Sequence, residues 1–170
     1  MAIEAGYMVP HPPIAVAEVG KGEEKKIQAT LDSYDEIARN IAAIAPDTII
    51  LTSPHAVMYK DYFHVSPGNS AVGDFGQFNA PDVKFDVKYD TELVSAIAGL
   101  CERTGFPAGT EGERSWELDH GTMVPLYFIN KRYTSYRLVR IGLSGLSLQT
   151  HYAFGRIIAD TVKKLGRKAV

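Results

Sequence analysis

Asp47-Thr48-Ile49-Ile50-Leu51-Thr52-Ser53-Pro54-His55 is an apolar, β-branched run that stops at a proline and delivers a histidine. Its length and residue mix are those of a buried strand, and Pro54 ends it by removing a ladder donor. The N-terminal stretch repeats the pattern in Ile3-Glu4-Ala5-Gly6-Tyr7-Met8-Val9-Pro10-His11-Pro12-Pro13. Both runs are expected to be strands of one sheet, each with its histidine just past the carboxyl end. In open α/β sheets that rim is where ligands bind. Two imidazoles arriving there from different strands point to a metal site, and the flanking prolines stiffen the turns that aim them. The plain alternative is that a proline-rich turn merely carries a polar residue.

Working outward, a polar Gly- and Lys-rich loop is expected from Glu18 to Lys26. A helix follows, with Ile37, Ile41 and Ile44 on one face and Arg39 and Asn40 turned away. With the strand at Thr48 to Ser53 this makes a βαβ unit. Asp61 to Val65 reads as a short alternating segment, Pro67 to Pro81 as a loop, and Val83 to Tyr89 as a strand. Asp90 is a credible N-cap for a helix that buries Leu93, Ile97 and Leu100 and stops at Gly105. Thr110 to Trp116 reads as irregular or a short edge strand, and a short helix entered through Pro125 follows His120. Tyr136 to Leu143 is a strand, and Leu148 to Leu165 a helix closed by Gly166. Lys168-Ala169-Val170 begins like another buried strand. Residues 1–170 are thus expected to form one domain, cut where its sheet should gain a strand, as in an N-terminal fragment.

The composition excludes several classes. The chain has 170 residues, 45% hydrophobic and 22% charged, with a formal net charge of −2, which is ordinary for a soluble globular protein. No stretch gathers Lys and Arg into a stripe, so nucleic acid is not an expected partner. No apolar run approaches the ~20 residues that span a bilayer, so neither is a membrane. The single Cys101 rules out an internal disulfide framework, fits a cytoplasmic setting and reads as a buried thiol. Sheet edges left open would favour a homo-oligomer.

Three further histidines are candidates for chemistry. His120 lies in Leu118-Asp119-His120-Gly121, where Asp119 could accept from its ring or cap the next helix, and Gly121 would let backbone approach a ligand. An imidazole suits general acid/base work because its pKa lies near the working pH. His64 alternates with Phe63 and Val65 and reads as structural or half exposed; His151 opens a helix and reads as a surface or capping residue. Walker A, Gly-x-Gly-x-x-Gly, Gly-x-Ser-x-Gly and His-Glu-x-x-His patterns are all absent.

Taken in order, His11-Pro12-Pro13, Ser53-Pro54-His55, Leu118-Asp119-His120-Gly121 and Val124-Pro125-Leu126 resemble the catalytic (B) subunit family of class III extradiol ring-cleavage dioxygenases. Gly73-Asp74-Phe75-Gly76-Gln77-Phe78 is similar to its Memo-like branch. The resemblance implies a three-layer α/β/α fold of the phosphorylase/hydrolase-like kind with a mostly parallel or mixed sheet. It also implies Fe(II) held by two histidines and a glutamate, an aromatic diol substrate and O2. By position, His11 and His55 would be metal ligands and His120 the acid/base, with Asp119, His64 and His151 candidates to stand behind them. The family's glutamate lies further along than this chain reaches; Glu111, Glu113 and Glu117 precede His120 and are out of order. Weak metal binding and little turnover are therefore expected of these residues alone. Two rivals remain: a non-catalytic Memo-like protein binding copper or a peptide, and a zinc hydrolase, since His, His and carboxylate also suit zinc.

Overall fold

The computed structural model describes residues 2–170. In chain order the helices are α1 (Ala17–Gly20), α2 (Gln28–Ile44), α3 (Thr91–Thr104), α4 (His120–Asn130) and α5 (Leu148–Lys164). The strands are β1 (Thr48–Ser53), β2 (Phe63–His64), β3 (Ser70–Phe75), β4 (Ala80–Lys88), β5 (Ala108–Gly109) and β6 (Arg137–Gly142). The fold is an open α/β arrangement centred on β1 and β6, which run parallel with Thr48 opposite Arg137 and Ser53 opposite Gly142.

The apolar run 47–53 does become the buried centre, and the sheet widens around it. Ala169 bridges in parallel to Thr48 on one side and Ile3 on the other, so the last residues pair beside β1. Beyond β6, Tyr89 pairs in parallel with Leu138 and Val65 antiparallel with Ile141. Side chains alternate across β6. Leu138 joins the layer of Tyr34, Ile41, Leu126 and Phe128 from α2 and α4. Val139 and Ile141 join Leu93, Ile97, Phe154 and Ile158 from α3 and α5.

Local chemistry explains the boundaries. Asp90 caps α3 by accepting from the Leu93 amide, and Gly105 closes it at φ 67°. Ser147 caps α5 by accepting from the Thr150 amide. Cys101 is wholly buried, as its helical position suggests.

Several expectations fail. The run 3–13 is not a buried strand. Within it only Glu4 bonds the Ala169 backbone, beside Ala2 just before the run, and Met8 is 100% exposed. Past Glu4 it leaves the ladder, and prolines 10, 12 and 13 have no N–H with which to rejoin it. His11 is thus held by a loop, whereas His55 does follow a strand end. The supposed loop 18–26 contains α1 and a 3-10 turn at Glu23–Ile27. The supposed loop 67–81 contains β3, hairpin-paired with β4. Gly73 lies within β3 because a Cβ there would stand 2.8 Å from Met123 Sδ and 2.9 Å from Leu118 Cβ; close packing, not a turn, requires it. Finally, α4 starts at His120 and Pro125 lies inside it. Asp119, accepting from the Thr122 amide, fixes the start.

Candidate metal centre

The structure brings His11, His55 and His120 to one point. One ring nitrogen of each lies within 4.8 Å of the other two. His11 Nε2 and His55 Nε2 are 3.1 Å apart, and their rings meet edge-on at 5.0 Å and 79°. The His120 ring centre stands 4.1 Å from that of His55 and 5.8 Å from that of His11. His55 is exposed and the other two are half-buried, so the cluster opens to solvent on one side.

Each ring is held through its backbone. The Tyr34 hydroxyl donates to the Pro10 carbonyl, just before His11. Tyr34 is itself fixed by stacking on Phe128 at 4.2 Å and 13°, so α2 and α4 together anchor the His11 loop. At the end of β1, Ser53 Oγ accepts from the His55 amide at 3.1 Å. The same hydroxyl donates to Asp119 Oδ1 at 2.5 Å. Asp119 also accepts from Thr122 Oγ1 at 2.9 Å. The turn carrying His55 is thereby tied to the first turn of α4, where His120 sits. Gly121 permits that closeness: a Cβ there would lie 2.5 Å from Ser53 Oγ and 3.1 Å from His55 Cδ2. Its lack of a side chain makes room for protein groups rather than for a ligand.

The donor set suits a cation. With metal–nitrogen bonds of about 2.1 Å, two cis donors of an octahedral site stand about 3.0 Å apart, and two of a tetrahedral site about 3.4 Å. The 3.1 Å between His11 and His55 falls between the two, so the pair can serve as neighbouring donors in either geometry. Burial, then the neighbouring His55 ring, holds the His120 imidazole below its ordinary pKa, while Asp119 pulls the other way. His120 is therefore a neutral base near pH 7, able to accept a proton or to ligate. Among the described residues no carboxylate joins the three rings.

The remaining sequence candidates lie elsewhere. His64 is wholly buried rather than half exposed, with Nε2 3.7 Å from Glu113 Oε2. Burial pushes its pKa down against the pull of Glu113. His151 bonds the Ser147 carbonyl through Nδ1 at 3.0 Å and packs edge-on against Phe63 at 4.6 Å. Met123, three residues past His120, is buried in the core. Sequence reasoning missed the roles of Tyr34, Ser53 and Arg140. Ser53 stood in the motif Ser53-Pro54-His55, and Arg140 as a lone charge inside Leu138-Val139-Arg140-Ile141.

With this geometry in view, the likenesses to known proteins are informative. The sequence profile of the family described as "Catalytic LigB subunit of aromatic ring-opening dioxygenase" matches residues 5–170. "Protein CA_C1420" of Clostridium acetobutylicum is 42% identical over 177 residues, covering 100% of this chain and 38% of its own length. An Escherichia coli 3,4-dihydroxyphenylacetate 2,3-dioxygenase is 22% identical over 141 residues, covering 81% of this chain and 50% of its own length. The chain thus spans half or less of the length of these curated relatives. No helix among the described residues is long and apolar enough to cross a membrane. Matched across nearly its whole length, the chain belongs to the family of the catalytic LigB subunit of aromatic ring-opening dioxygenase.

Proposed function

We propose that this chain carries the histidine half of a metal-dependent site for O2-driven opening of an aromatic diol. The convergence of His11, His55 and His120 at the end of β1, in a chain of this family, carries the reading. His11 and His55, with their Nε2 atoms at cis spacing, would hold Fe(II), and a carboxylate from outside the described cluster would complete a facial set. When bound, that ion would bring diol and O2 together and lend them Lewis acidity and a path for electrons.

The chain's own residues supply the rest. A ring nitrogen of His120, held neutral by burial, accepts a proton from a diol hydroxyl and returns it later. Asp119, tied to Ser53 and Thr122, fixes where α4 begins and so where that ring stands. The exposed face of His55 leaves the substrate a way in. Dihydroxyphenylacetate-type catechols are the first substrates to try, given the name of one relative.

The test is anaerobic loading with Fe(II), then addition of O2 and a catechol series, following O2 uptake and the visible colour of the ring-opened product. Uptake matched by product supports the reading. Full metal occupancy with neither, across the series, in protein that also supplies the completing carboxylate, rejects the ring-opening reading. One observation favours a second reading: three histidines without a carboxylate also suit zinc or copper. Elemental analysis of protein purified without added metal distinguishes a zinc or copper site from an iron site.

A further inference from the structure

Arg140 breaks the pattern of its strand. Leu138, Val139 and Ile141 are apolar and buried, as a central strand requires, yet Arg140 among them is wholly buried too. Burying a guanidinium is costly unless it is paired, and an apolar side chain of similar volume would often serve stability as well or better. What an apolar residue could not do is hold polar groups in place.

Its observed partners all belong to one segment. Nη1 donates to the Ser115 carbonyl at 3.2 Å and the Glu117 carbonyl at 3.0 Å. Nε stands 3.4 Å from Asp119 Oδ2. Nε and Nη2 have no hydrogen-bond partner among the described residues, so the burial is not fully compensated even here. Residues 115–119 are irregular backbone leading directly into His120. Asp119 in turn takes the hydroxyl of Ser53, which receives the His55 amide. A single fixed charge on the rigid central strand therefore connects to both His55 and His120.

We propose that Arg140 is a positioning residue for the metal centre, pinning residues 115–119 and the Asp119 carboxylate so that His120 and His55 face one another. This rests on the reading that the three histidines hold a metal. Groups supporting a ligand from behind typically change metal affinity by about 10–100-fold when removed, and the same range is expected here.

The test uses Co(II) as probe, because its visible spectrum reports ligand geometry separately from folding. The unaltered chain, Arg140→Lys, Arg140→Met and Asp119→Asn are titrated, with Arg156→Met on the exposed side of α5 as control. Metal-free thermal melts run alongside. The expected result is about tenfold or weaker Co(II) affinity with a changed spectrum in Arg140→Met, partial rescue in Arg140→Lys, and no change in Arg156→Met. Unchanged affinity and spectrum in folded Arg140→Met and Arg140→Lys overturn the proposal. If both Arg140 variants fail to fold, Asp119→Asn decides. Its remaining Oδ1 keeps the bonds from Ser53 and the Thr122 amide but the charge that Arg140 faces is gone, so weaker binding with a changed spectrum supports the proposal and unchanged binding overturns it. Failure of the unaltered chain to bind Co(II) instead sinks the metal reading itself, and this proposal with it.

Discussion

Replacing Gly121 by alanine should weaken metal binding without unfolding the protein. The added Cβ would stand 2.5 Å from Ser53 Oγ, 3.0 Å from Asp119 Oδ1 and 3.1 Å from His55 Cδ2. Something must shift, and the atoms in the way are those that align His55 with α4. Within α4 alanine is the better helix former, by up to about 1 kcal/mol. Overpacking a tight site costs about 1–3 kcal/mol. The two effects oppose, so the net change in stability should be only about 0–3 kcal/mol. Metal affinity gains nothing from helix propensity. It loses the bond from the Ser53 hydroxyl to the Asp119 carboxylate and displaces the His55 ring, an effect of about 10–100-fold. Calorimetric Fe(II) titration under anaerobic conditions, beside thermal melts of metal-free protein, separates the two quantities. A folded Gly121→Ala chain that binds Fe(II) as tightly as the unaltered chain would refute the argument that this contact aligns the site.

Other perturbations test the frame around the site. At Asp90, burial pushes the carboxyl up, but bonds from Thr48, the Leu93 amide and Arg167 outweigh it and hold the carboxyl below its ordinary range. Its stabilisation is complete above the unfolded value of about 3.9 and is lost as pH falls through the lower folded value. Asp90→Asn should therefore cost about 2 kcal/mol near neutrality and flatten the acid limb of a stability–pH curve, read by urea melts. Gly142→Ala would place a Cβ 1.9 Å from the Val57 carbonyl oxygen. Backbone cannot yield as a side chain can, so a loss of about 3 kcal/mol or more is expected by the same melts. In metal-free protein the His120 ring should titrate below about 6.5 by proton NMR, because folding favours its neutral form; titration above that value would contradict its burial.

Much of this architecture could be read from residue order. The run 48–53 carries its burial in its composition, and the caps at Asp90 and Gly105 follow from side-chain and backbone chemistry that acts within a turn. That Lys168-Ala169-Val170 would pair beside β1 was legible from the same apolar composition. The N-terminal run misled because a strand also needs a neighbour, and only Ile3 finds one in Ala169. β3 was hidden by its glycine, which serves tight packing on Met123 and Leu118 rather than a turn. The start of α4 depended on Asp119 rather than Pro125, since a carboxylate that accepts the Thr122 amide can begin a helix before the proline.

For the site, proline-flanked histidines marked two of the converging rings and Asp119-His120-Gly121 the third. Their supports were not legible. Tyr34 reaches the Pro10 carbonyl from 24 positions away, and Ser53 reaches Asp119 across 66. Such links depend on the packing of β1, α2 and α4, which local pattern does not encode. Arg140 was passed over inside a run read simply as a strand, and what it grips became visible only with the chain folded.

X-ray absorption at the metal edge of the Fe(II)-loaded chain tests the shared-cation claim most directly, because imidazole rings leave a distinctive scattering pattern. The account predicts that pattern in the unaltered protein, one ring fewer in each of His11→Ala and His55→Ala, and no change in His151→Ala. A bound ion showing no imidazole scattering, or the same scattering in all four proteins, would contradict it.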